Sequence, residues 1–117
     1  MDNIDIRKIM GQLDAKNYIS YRELEANHNF PSLKDYIGPD KYKGQEKIAE
    51  YLKNGMELMT LVAIPTDIFT KKVIPYDCVY MTDGYYYWPL LLAYYVEKYN
   101  LRLPEVFEQH ILKNSDK

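Results

Sequence analysis

The clearest pattern in the chain is a change of period. Early on, Ile6, Ile9, Met10 and Leu13 recur at i, i+3, i+4 and i+7, one face of an amphipathic helix. Ser20 and Glu23 have the spacing of a capping box, so a short helix is expected after Ser20. Ser32 repeats the capping logic after Pro31, and Gly38-Pro39 stops that turn. From Asp40 to Gly55 the helical period returns, with Ile48, Tyr51 and Leu52 on one side and Lys47, Glu50 and Lys53 on the other. Asn54-Gly55 reads as its stop.

The pattern then shifts to strands. Met56 to Ile64 is apolar on both alternating sides, which predicts a central strand covered on both faces, ended by Pro65. Thr66 to Lys72 is a polar connection back into Val73-Ile74 and then Tyr76 to Thr82. Asp83-Gly84 is a hairpin signal, both residues being suited to φ > 0. Tyr85 to Trp88 returns as a strand. Pro89 ends it and suits the first turn of a helix running to Tyr99, whose stripe is Leu91, Leu92, Tyr95, Val96 and Tyr99. A last helix opens at Pro104, with Val106, Phe107, His110 and Ile111 inward. The expected architecture is α+β in one domain over residues 1–117. A small antiparallel sheet of about three to four strands is packed by N-terminal and C-terminal helices.

Composition sharpens this in one respect. The hydrophobic fraction of 47% and charged fraction of 27% are ordinary, but Tyr 13 is not. So many rings cannot all be buried, and exposed tyrosines favour protein–protein contact. The net charge of -2 argues against direct nucleic-acid binding, which leaves a basic footprint. The lone Cys78 cannot form an internal disulfide. The opening Met1-Asp2-Asn3-Ile4-Asp5 lacks the apolar core of a secretory signal. No apolar run is long enough to cross a membrane, so a cytoplasmic protein is expected.

Catalytic motifs are absent. There is no GxxxxGK[ST], GxGxxG, HExxH or GxSxG. Cys78 with His110 is one conceivable nucleophile and base, but Cys78 sits in an apolar run where a thiol is inert. Asp67, Asp77 and Asp83 fall at strand ends, where carboxylates can gather to hold a cation or move protons. They are also ordinary turn residues, and Asp83 is explained by its turn. His28 lies in a polar run and should be exposed. Among Tyr80, Tyr85, Tyr86, Tyr87 and Trp88, one alternating side should pack into the core. The other should emerge as an aromatic contact surface for a partner, or for a second copy of the chain.

The string TDGYYYWPLLLAYYVEKYNLRLPEVFEQHIL resembles the C-terminal half of small bacterial immunity proteins from polymorphic-toxin and contact-dependent growth inhibition systems. The matching elements are Tyr51-Leu52-Lys53-Asn54-Gly55, Asp83-Gly84 with Trp88, Tyr94 to Tyr99, and Leu103-Pro104 with Phe107. They span about residues 40–113. The resemblance implies a non-enzymatic protein that binds a cognate protein toxin and occludes its active site, without cofactor or metal. Tyr85, Tyr86 and Tyr87 would supply apolar contact. Against a nuclease, Asp67, Asp77, Asp83 and Glu97 would stand in for phosphate charge. Two other readings remain open. A general binding module of a cytoplasmic complex predicts a harmless partner. A small enzyme using the Asp cluster or Cys78 predicts a concave pocket with a strongly perturbed titratable group.

Overall fold

The computed structural model describes residues 17–115, so the expected helix over Ile6 to Leu13 lies outside the described residues. The elements are α1 (Arg22–Glu25), a 3-10 turn (Leu33–Asp35), α2 (Gln45–Lys53), β1 (Met56–Thr60), β2 (Val79–Thr82), β3 (Tyr87–Pro89), α3 (Leu91–Tyr99) and α4 (Glu105–Ser115). The three strands form one antiparallel sheet in the order β1-β2-β3. The fold is α+β, with helices packed on the sheet.

Trp88 joins the layers. It pairs with Met81 across the ladder and is fully buried. Its Nε1–H donates to Leu52 O at 3.1 Å, and its ring lies 5.5 Å from Phe107 and 6.1 Å from Tyr51. One side chain thus ties β3 to α2 and α4. Gly55 makes room for it. A Cβ there would come within 2.9 Å of the Trp88 ring and 3.0 Å of Thr82 O. The helix stops at Asn54-Gly55 as expected, and the φ of Gly55 is not positive. The position needs glycine for close approach instead.

Strand alternation puts Tyr80 and Tyr87 on the opposite face. There the Tyr18 ring stacks on Tyr87 at 4.8 Å and lies 6.1 Å from Tyr80, with Phe30 edge-on at 5.7 Å. Tyr18 also forms a parallel bridge to Tyr87, and Ile19 N–H donates to Tyr87 O at 2.9 Å. The chain before α1 therefore covers the outer edge of β3.

Several local expectations change. The capping box does not form: Tyr21 holds the N-cap position of α1 without a side-chain cap. Ser20 Oγ instead donates to Glu25, while Glu23 receives Ser32 Oγ–H and Leu33 N–H. Glu23 therefore caps the next element rather than its own. Ser32 does cap as expected, accepting from Lys34 N–H. α2 starts at Gln45, later than Asp40, because the Gln45 side chain accepts Tyr42 N–H and anchors to Val96 O and Asn100.

The largest correction concerns Met56 to Ile64. It is neither central nor covered. β1 is an edge strand that ends at Thr60, and the chain beyond it turns out into solvent. Met56 is 63% exposed, Ile64 78%, and Val62 fully exposed. Apolar residues on both alternating sides marked a strand exposed at every position but the half-buried Met59, rather than one buried on two faces.

Candidate functional site

The β2–β3 connection is a four-residue loop, Asp83 to Tyr86, instead of a two-residue turn. Gly84 alone among these has positive φ, at 94°. The Asp83 carboxylate closes it. Oδ1 accepts Tyr85 N–H at 2.9 Å and Tyr86 N–H at 2.7 Å, an Asx turn. Oδ2 accepts the Tyr51 hydroxyl from α2 and lies 2.7 Å from His110 Nε2 on α4. With Nε2–H given to Asp83, His110 Nδ1 faces the Asn114 amide at 3.4 Å. The loop is thus bolted to two helices through one carboxylate.

Burial by itself would raise the Asp83 pKa. The bonds from Tyr51, from the Tyr85 and Tyr86 N–H groups and from His110 outweigh it, and the carboxyl sits below its usual range. Tyr51 is pushed up, first by burial and then by its bond to Asp83. Both effects favour one arrangement, Asp83 ionised and Tyr51 protonated.

This framework presents one ring. Tyr85 is 61% exposed and stacks on His110 at 5.6 Å with a 24° interplanar angle. Tyr86 and Tyr87 were expected to share the contact surface, but both are buried. Tyr86 packs on Phe107 at 4.7 Å, and Tyr87 lies under Tyr18. Burial removes these two from any contact surface.

The predicted acids separate into three environments. Asp67 is completely buried, which is incompatible with direct mimicry of phosphate charge. Its Oδ2 accepts the Tyr94 and Tyr99 hydroxyls at 2.6 Å, and its Oδ1 accepts the N–H groups of Phe69 and Thr70. Burial opposes ionisation there, but these four bonds hold the carboxyl well below the usual range. Asp67 pins the arm between β1 and β2 onto α3. Glu97 is exposed but paired, accepting Lys53 Nζ at 2.9 Å and the Tyr76 hydroxyl. Asp77 is exposed. It lies about 20 Å along the chain from Asp83, at six residues and ~3.3 Å each.

The acids therefore do not converge. Among the described residues no three His, Cys, Asp or Glu side chains gather as a metal site. Cys78 precedes β2 and His110 meets the loop beyond its other end, so that pair does not form either. The Cys78 thiol is pushed up by burial and by Asp77, which disfavours the thiolate. His28 is exposed, as its polar surroundings predicted.

The Tyr51–Asp83–His110 network escaped the sequence reading. Its signal was present but divided: an Asp at a turn and a His on the inward stripe of a helix. A cleft of about 660 Å³ lies elsewhere, along α2 between Lys41, Glu46, Glu50 and Glu97. Among the described residues no helix is long and apolar enough to cross a membrane. Comparison with protein-family models, curated proteins and solved structures finds no match to this chain.

Proposed function

We propose that this chain works by binding another polypeptide and blocking it, as a non-enzymatic immunity protein would block a toxin domain. The observation that carries the reading is the preorganised tip: an exposed Tyr85 ring held flat on His110 by a loop that Asp83 fastens to two helices. Binding costs less when the contacting side chain is already ordered. Tyrosine is one of the residues enriched among the few that carry most of the binding energy at interfaces. Asp83 acts here by holding the ring. Asp77 is left to steer a cationic partner, since Lys53 offsets the charge of Glu97.

The test is neutralisation. The product encoded beside this chain is induced in bacteria with and without it, and the pair is purified together. Relief of growth arrest with co-elution supports the reading. Tyr85→Ala should then weaken the complex by about 2 kcal/mol, roughly thirtyfold in Kd. A harmless neighbour that still co-elutes turns the protein into a binding module without a toxin. Full neutralisation by both Tyr85→Ala and Tyr85→Glu takes the tip out of the interface.

A further inference from the structure

The outer edge of β1 is the least explained surface in the molecule. In the order β1-β2-β3 it faces no further strand among the described residues. Met56 is 63% exposed and Leu58 41%, and the run continues through Leu61, Val62 and Ile64, all exposed. Val73, on the returning arm that bridges Thr66, is 65% exposed as well. Natural edge strands normally carry lysines, prolines or inward charges that discourage pairing. From Met56 to Ile64 this one has a single charge, Glu57, and no proline before Pro65. The other guard among the described residues is a bulge in the ladder between Glu57 and Met59.

We infer that β1 is a self-association edge, on which a second copy of the chain pairs its own β1 antiparallel about a two-fold axis. The charge pattern selects this occupant. A strip with one carboxylate in nine residues offers nothing for a strongly charged partner to read, whereas a second copy brings an edge of identical, nearly neutral composition. An isologous contact needs a self-complementary patch. With the axis at Leu58, Leu58 meets its counterpart and each Glu57 faces Met59 of the second copy, so the like charges do not oppose. The bulged Leu58 side chain becomes the centre of the apolar contact instead of an obstacle. Pairing yields a six-stranded sheet. Because Met56 lies beside Thr82, next to the Asp83–Tyr86 loop, antiparallel pairing sends the two loops to opposite ends of the dimer. Both Tyr85 rings stay free, so the inference does not depend on the role proposed for them.

The full chain is examined by sedimentation and light scattering over a wide dilution series, with hydrogen exchange on β1. The expected result is a species of twice the 13.9 kDa chain mass that dissociates on dilution, with the β1 amides that do not bond β2 protected only where the dimer is populated. Leu58→Lys and Val62→Glu sit on exposed positions and should keep the unfolding curve. Leu58→Lys should weaken the dimer at least about a hundredfold, because the two lysines then face each other across the axis, whereas Val62→Glu, opposite Asn54 beyond the end of the strand, should weaken it less. A monomer at every concentration overturns the inference, as does a monomer whose outward β1 amides, those that do not bond β2, stay protected, since the chain would then be covering its own edge. A dimer that ignores both variants, or one dissolved by Tyr85→Ala, places the contact elsewhere and overturns it equally.

Discussion

The sheet has two edges, and the chain treats them in opposite ways. At β3 it supplies a closing segment: Tyr18 bridges Tyr87, Ile19 N–H bonds Tyr87 O, and the Tyr18 ring lies flat over Tyr87. At β1 it supplies nothing comparable among the described residues, although the strand is more aliphatic and more exposed. Apolar content alone therefore does not bury a strand. Burial follows where a main-chain partner and a covering side chain arrive together, and the uncovered edge is left as surface for something else to use.

The sharpest way to break this contrast is to truncate both edges. Tyr87→Ala removes a buried ring and should destabilise the fold by about 3–5 kcal/mol. Val62→Ala and Met56→Ala should each change stability by no more than about 0.5 kcal/mol in dilute protein. Urea unfolding at equal m-value measures both. A loss above about 1 kcal/mol at Val62 would mean that the open edge is packed after all.

Next in size is the anchor that ties the arm beyond β1 to α3. Asp67→Ala leaves two tyrosine hydroxyls and two loop N–H groups without their acceptor, a cost of about 3 kcal/mol. The same residue sets a pH dependence. Its folded pKa is depressed, so around pH 4 the unfolded chain binds more protons than the folded one. Its stabilisation is complete above about pH 5 and is lost as pH falls through the unfolded value toward the folded one. Asp83, Glu97 and Glu23 are shifted the same way, so stability should fall on acidification. Asp67→Asn should give the flattest acid limb in an unfolding series. An unchanged slope would mean that the carboxylate is not what fastens the arm.

The hairpin tip comes third. Asp83→Asn replaces an acceptor shared by Tyr51, His110 and two backbone N–H groups with a neutral amide. About 1–2 kcal/mol of stability should go with it. Tyr85 should also lose its fixed pose on His110, seen as averaged ring signals in NMR. Stability lost without any change at Tyr85 would separate the network from the presentation of the ring.

What could be read from the sequence was what local chemistry decides. The order strand, turn, strand, helix over 77–99 follows from Asp83-Gly84 and Pro89, each acting within a few residues, although the turn is a four-residue loop and the return strand is Tyr87–Pro89 rather than Tyr85 to Trp88. The stop of α2 and the stripe of α3 are of the same kind, while in α4 Phe107 and Ile111 turn inward as expected but Val106 is 66% exposed and Glu108 is buried in its place. Position within the sheet was not legible, because alternation says which side chains share a face and not whether another strand lies beyond. Nor was the fate of the acids. Asp67 and Asp83 have ordinary loop surroundings in sequence, and the tyrosines that bury Asp67 lie 27 and 32 positions away. Within Tyr85-Tyr86-Tyr87 the neighbours differ in burial because the loop is longer than a two-residue turn, which shifts the side that faces α4.

The smallest effect separates the edges by charge alone. Glu57 is the one charged residue between Met56 and Ile64, and it is exposed. Glu57→Gln should leave the unfolding curve within about 0.5 kcal/mol, since an exposed carboxylate contributes little to a folded monomer. If β1 pairs with β1, the substitution removes one carboxylate per copy from beside the two-fold axis of the contact. Self-association should then tighten about two- to fivefold, with a weaker dependence on salt. No such change is expected from Asp77→Asn, because Asp77 lies outside the strip. Equal responses to the two substitutions would mean that net charge, and not the bare edge of β1, governs how copies of this chain meet.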